Sequence, residues 1–83
     1  MEKQEFITFA TALKNYYPRD AVLPNTEAMD AWYEVLSDLE YDLAMSALKN
    51  WVRTQRWAPT IADIRQQTEH EKCERFFERI LDN

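Results

Sequence analysis

The sequence contains no glycine. Both nucleotide-binding fingerprints use glycine for a tight turn and for close approach of the backbone to phosphate, so a phosphate-cradling loop is excluded. There is one cysteine, Cys73, and one histidine, His70. An internal disulfide is therefore impossible, and two such side chains are too few for a structural zinc site. No stretch approaches the ~18 consecutive apolar residues of a membrane span. The polar opening at residues 1–6 lacks the apolar stretch of a signal peptide. Bases are also scarce: ten Lys and Arg stand against fifteen Asp and Glu, a net charge of -5. Such a surface is poorly suited to neutralising DNA phosphates. These absences predict a cytoplasmic chain with no cofactor, no membrane contact and no direct contact with nucleic acid.

What remains is one small domain of 83 residues, 46% of them hydrophobic. Size scaling puts about 64% of the unfolded surface inside a fold of this length. That is a thin core, in which each large side chain counts. Eleven aromatics, three of them tryptophan, offer the bulk.

Apolar residues recur at helical intervals, and no alternating run bounded by turns appears, so the expected class is all-α. Phe6, Phe9, Ala10 and Leu13 mark a first helix from about Lys3 to Tyr16, halted by Pro18. Residues 18–25 form a loop, after which Asn25 or Thr26 can cap a second helix running to about Asp38. Its stripe is Met29, Trp32, Tyr33 and Leu36. A bend at residues 39–41 leads to a third helix from about Asp42 to Thr54, with Ala44, Ala47, Leu48, Trp51 and Val52 inward. Thr60 and Asp63 have the spacing of a capping box and open a fourth helix carrying Ile61 and Ile64.

Beyond Arg65 the pattern changes. Residues 66–74 hold no large apolar side chain, which predicts a solvated or frayed spacer. Cys73, Phe76, Phe77, Ile80 and Leu81 then repeat at 3–4 spacing against a charged back face. Two readings fit this terminal stripe. It is a fifth helix that completes the core, or an amphipathic segment that lies in a partner's groove. The division is thus a helical bundle over residues 1–66, then a polar spacer and amphipathic segment over 67–83.

Charge is segregated. Residues 20–42 carry seven acids (Asp20, Glu27, Asp30, Glu34, Asp38, Glu40, Asp42) and no base. Asp30, Glu34 and Asp38 are one turn apart on the second helix, but the further ligands of a hydrolytic metal site are not evident. Lys49, Arg53 and Arg56 form a short basic stripe on the third helix and just past it. It is either a solvated face or a contact for an acidic partner or a nucleic-acid backbone. Trp32 and Trp51 sit on apolar stripes and are expected in the core. Trp57, beside Arg56 in a connector, is either a lid or an interface anchor. His70 is expected to be exposed, and Cys73 to act as a small hydrophobe.

Several of these residues also form a recognisable set. Leu13 with Tyr16-Tyr17-Pro18 closes the first helix, Trp32 and Leu36 mark the second, and Ala47, Leu48 and Trp51 mark the third. The run from Trp57 through Ala58, Pro59, Thr60, Ile61, Ala62 and Asp63 to Ile64 opens the fourth. Over residues 5–66 the chain resembles the small phage proteins that load and inhibit a replicative helicase. The resemblance implies an all-helical N-terminal domain and a C-terminal segment that contacts a hexameric helicase of the DnaB type. It also implies delivery of that helicase to an origin-bound initiator protein, without catalysis. Carried to this chain, the expected contact residues are Phe76, Phe77, Ile80 and Leu81. Apart from the resemblance, Trp57, Arg56 and Arg53 are expected as further anchors by residue type. The competing reading is an acidic decoy that imitates the DNA backbone toward a host nuclease or DNA-binding protein.

Overall fold

The computed structural model describes residues 1–81. Four helices follow one another: α1 (Lys3–Tyr16), α2 (Thr26–Leu36), α3 (Tyr41–Thr54) and α4 (Ile61–Leu81). No strand occurs among the described residues, and the fold is all-α.

Helix α1 begins with the Glu2 N–H donating to Glu5 Oε1 at 2.8 Å and buries Phe6, Phe9, Ala10 and Leu13. Tyr17, held out of helical geometry by Pro18, ends it, and its N–H still donates to the Leu13 carbonyl. The loop to α2 then takes two left-handed turns without glycine, at Ala21 (φ 51°) and Leu23 (φ 54°). A Cβ in that region costs about 1–2 kcal/mol. Leu23 is held there by its own burial, and its carbonyl accepts from Lys14 Nζ at 3.2 Å. Ala21 is exposed and has no such restraint.

Asn25 caps α2 by accepting from the Ala28 N–H at 2.8 Å. The helix stops at Leu36, two residues before the expected Asp38. A turn carries the chain from there to Leu39, which is buried. The Met1 ammonium donates to the Ser37 and Leu39 carbonyls, both at 2.6 Å. It supplies a cation where the α2 macrodipole ends in unmatched carbonyls. Helix α3 contributes Leu43, Ala44, Ala47 and Leu48 to the interior.

Helix α4 departs most from expectation. Its capping box is formed as the spacing implies: the Thr60 N–H donates to Asp63 Oδ2 (3.0 Å) and the Asp63 N–H to Thr60 Oγ1 (3.2 Å). The helix then runs without a break through residues 66–74 to Leu81. The stretch expected to be solvated or frayed is largely exposed but not frayed, because it does bury something. Ile64, Thr68 and Glu71 lie at i, i+4 and i+7, and all three are buried. The buried stripe continues past Ile64 in polar side chains, so hydrophobic periodicity does not reveal it. Thr68 Oγ1 donates to the Ile64 carbonyl at 2.6 Å. Glu71 accepts from Ser46 Oγ (3.3 Å) and from Asn50 Nδ2, both on α3. A buried carboxylate is costly unless hydrogen-bonded, and here α3 provides the donors.

Of the two readings of the terminal stripe, a fifth helix is not present as a separate element among the described residues. Phe76, Phe77, Ile80 and Leu81 are the last turns of α4 itself. At 100° per residue, the stripe of Cys73, Phe76, Phe77 and Ile80 is turned by roughly 160° from that of Ile64, Thr68 and Glu71. A continuous helix that buries one face must hold the other away from the core. The end of α4 therefore overhangs the bundle. The longest dimension is 46 Å against 27 and 18 Å. The accessible surface of 5937 Å² exceeds the roughly 5,200 Å² of a compact domain of this mass.

One ion pair ties α4 to α2. Arg65 donates to both carboxylate oxygens of Asp38 (2.8 and 2.9 Å) and to the Val35 carbonyl (2.7 Å). The Arg65 guanidinium holds the Asp38 carboxyl down from 3.8 to about 2. A depressed folded-state value contributes stability above the ordinary value that is lost as pH falls through the folded one. The stability gap between the parent and Asp38→Asn is thus expected at neutral pH and should close between about pH 4 and pH 2 in urea melts. A gap that stays constant over that window would contradict the assignment. A second prediction concerns the loop. Ala21→Gly relieves a left-handed Cβ and should raise stability by about 1 kcal/mol in the same melts. A lower urea midpoint would show that Ala21 bears no strain.

Candidate functional site

The overhang of α4 presents the largest exposed apolar group. Phe76 is 60% exposed, Phe77 62%, Ile80 52% and Leu81 82%. The two phenyl rings meet edge to face, with centroids 6.0 Å apart. Beside them an open groove of about 620 Å³ runs between the start of α3 and the second half of α4. Leu43, Cys73, Phe76 and Phe77 form its apolar lining. Glu40, Glu69, Lys72, Arg75 and Arg79 give it a rim of both signs. An apolar strip with a mixed-charge border has the make-up of a protein-binding face.

The other expected anchors lie elsewhere. Trp57 is 58% exposed in the connector before α4. Trp51, expected in the core, is only half-buried. Its indole N–H needs an acceptor, and it finds the Trp57 carbonyl at 2.7 Å. The two indoles pack edge to face at 6.4 Å. Trp32 is likewise half-buried, resting against the core rather than inside it. Arg53 and Arg56 are exposed, and Arg53 Nη1 donates to Asn50 Oδ1 at 3.4 Å.

The expected site residues therefore form two groups and not one. The fifteen positions of helix between Ile61 and Phe76 span about 22 Å. Arg53 lies in the last turn of α3 and Arg56 and Trp57 in the connector before α4, whereas Phe76, Phe77, Ile80 and Leu81 form the last turns of α4.

Neither group resembles a reaction centre. No cluster of three or more His, Cys, Asp or Glu able to hold a metal occurs among the described residues. Of the acids one turn apart on and just after α2, Asp38 is engaged by Arg65. His70 is exposed and pairs with Glu74 at 2.9 Å. Cys73 is exposed on the groove wall. No helix among the described residues is long and apolar enough to cross a membrane.

Sequence reasoning misses Leu43, Lys72 and Arg75 as parts of the groove, because they come together only when α3 and α4 pack side by side. It also misses Glu71, whose burial makes α4 continuous. The one available signal is the spacing of Thr68 and Glu71 from Ile64.

Comparison with known proteins adds one result. No curated protein and no solved structure matches the chain. A family model does: that of the N-terminal domain of a phage helicase loader/inhibitor, over residues 1–65. Those residues comprise α1, α2, α3 and the first turn of α4, including the Trp57–Ile64 run. The match spans well over half of the 83 residues, and the chain belongs to the phage helicase loader/inhibitor family.

Proposed function

We propose that this protein binds a DnaB-type hexameric replicative helicase through the overhanging end of α4 and acts as its loader and inhibitor in the host cytoplasm. The observation that carries this reading is the exposed stripe of Phe76, Phe77, Ile80 and Leu81 at the end of a continuous helix, beside the groove that Phe76 and Phe77 share with Leu43. Family membership supports the choice of partner. The mode of action is stoichiometric. Apolar side chains at i, i+1, i+4 and i+5 lie in a groove of the helicase and occupy a surface that it needs for subunit movement. Release of the protein then frees the helicase at an origin-bound initiator. No bond is made or broken by the protein, and no cofactor takes part.

The bundle serves as the carrier. A boundary at residue 66 would cut α4 between Ile64 and Thr68 and lose the Glu71 hydrogen bonds to α3. The folded unit in this proposal therefore extends to about Cys73, and the contact segment begins at Phe76.

A DNA-like decoy finds less support. Its carboxylates must cover one continuous face, whereas Asp38 is paired with Arg65, and Lys49, Arg53 and Arg56 interrupt the negative surface.

The test uses the full chain carrying Phe76→Asp with Phe77→Asp, mixed with the host helicase on a sizing column. The parent should co-elute with the hexamer, and the variant should bind at least about a hundredfold more weakly, as expected for loss of two hot-spot aromatics. Its urea midpoint should match the parent's, because both side chains are exposed. Undiminished co-elution of the variant would overturn the proposal.

A further inference from the structure

The surface at the opposite end of α4 has its own chemistry. Trp57 is not a loose side chain. Its carbonyl is tied by the Trp51 indole N–H at 2.7 Å, and its ring is braced edge-on by the Trp51 ring. Pro59, which is buried, fixes the chain two residues later, and the Thr60–Asp63 capping box anchors it after that. The connector is thus held at both sides of an indole that is 58% exposed. A large apolar ring fixed in water before binding loses little side-chain entropy when it docks.

The neighbouring stretch of chain carries one sign of charge. Residues 43–62 contain Lys49, Arg53 and Arg56 and no acid. Neither Lys49, Arg53 nor Arg56 forms an ion pair among the described residues. Asp63, the next acid in the chain, is engaged in the capping box. An acidic protein with a net charge of -5 thus carries two exposed arginines without an ion pair within four residues of its most exposed tryptophan, and Lys49 one turn before Arg53 on α3.

We propose that this corner is a second docking surface, which takes an acidic protein segment bearing one large apolar residue. The apolar residue packs on Trp57 and the carboxylates meet Arg53, Arg56 and Lys49. Arginine and tryptophan are the residue types that dominate binding energy at such contacts. Arginine also engages carboxylates through two parallel hydrogen bonds. Single-stranded nucleic acid fits less well. It needs a cationic track several nucleotides long, whereas this stripe spans about 10 Å and meets Asp42 at its Lys49 end. Because the two surfaces lie at opposite ends of α4, both can be occupied at once, and this surface does not depend on what the overhang binds.

The test is a nuclear magnetic resonance titration of the full chain with three probes of similar length. One is a peptide of about a dozen residues with a single phenylalanine among aspartates and glutamates. The second replaces every acid by its amide, and the third is oligothymidine. The acidic peptide should shift the Trp51 and Trp57 indole N–H signals and the amides of residues 53–60, and leave residues 76–81 unmoved. Affinity should fall roughly tenfold in Trp57→Ala and again in Arg53→Gln with Arg56→Gln, and should weaken with added salt. The Ala variant retains the backbone acceptor for Trp51, and the Gln variant keeps long polar side chains at both positions, so the fold has no reason to change. Absence of shifts, equal binding of the neutral peptide or of oligothymidine, or full affinity in both variants would overturn the proposal.

Discussion

The hydrogen bonds from Ser46 and Asn50 to the buried carboxylate of Glu71 are the contact on which the rest of this structure depends. They join α3 and α4 at a level where α4 has run out of apolar side chains. Without them, residues 66–74 would have no reason to remain helical against the bundle. With them, α4 becomes one rod of 21 residues. Leaving the buried Glu71 carboxylate without its donors would cost on the order of 1–3 kcal/mol. That is a large share of what a domain of this size has in reserve.

A rigid rod has consequences for both of its ends. The polar seam commits one face of α4 to the core and so turns the terminal apolar stripe outward. Exposure of Phe76, Phe77, Ile80 and Leu81 is then a geometric result of burying Thr68 and Glu71, not an unfinished fold. At the other end, the capping box and the Trp51–Trp57 hydrogen bond fix the connector that carries the exposed indole. In the two proposals above, the bundle serves as a spacer between the end of α4 and the connector that carries Trp57.

Much of this is legible in the order of the amino acids. The borders of α1 and α3, the Asn25 cap and the Thr60–Asp63 capping box follow from apolar spacing, proline placement and side-chain oxygen chemistry. The spacing of Phe76, Phe77, Ile80 and Leu81 leaves two readings open, since a 3–4 repeat marks an amphipathic helix without saying what covers it. Trp51 lies nearer the surface than its place on the stripe implies, because its indole N–H needs an acceptor that the apolar interior lacks. Residues 66–74 defy the pattern for a deeper reason. Burial there is driven by hydrogen-bond satisfaction between two helices, and a carboxylate carries no mark in sequence of whether a serine and an asparagine await it. The groove walls, drawn from α3 and α4, require the tertiary packing itself. The chain from residue 66 onward lies beyond the matched family region, so its geometry is evident only from the fold.

Amide hydrogen exchange along α4 in the free protein examines the seam most directly. Protection comparable to that of α3 should persist from Ile64 through Cys73 and fall away across the overhang, from Phe76 to Leu81. In Glu71→Ala, the loss should move back toward residue 66 while α1 and α2 keep their protection. Fast exchange from residue 66 in the parent chain, or no change in Glu71→Ala, would contradict a helix held together by that buried carboxylate.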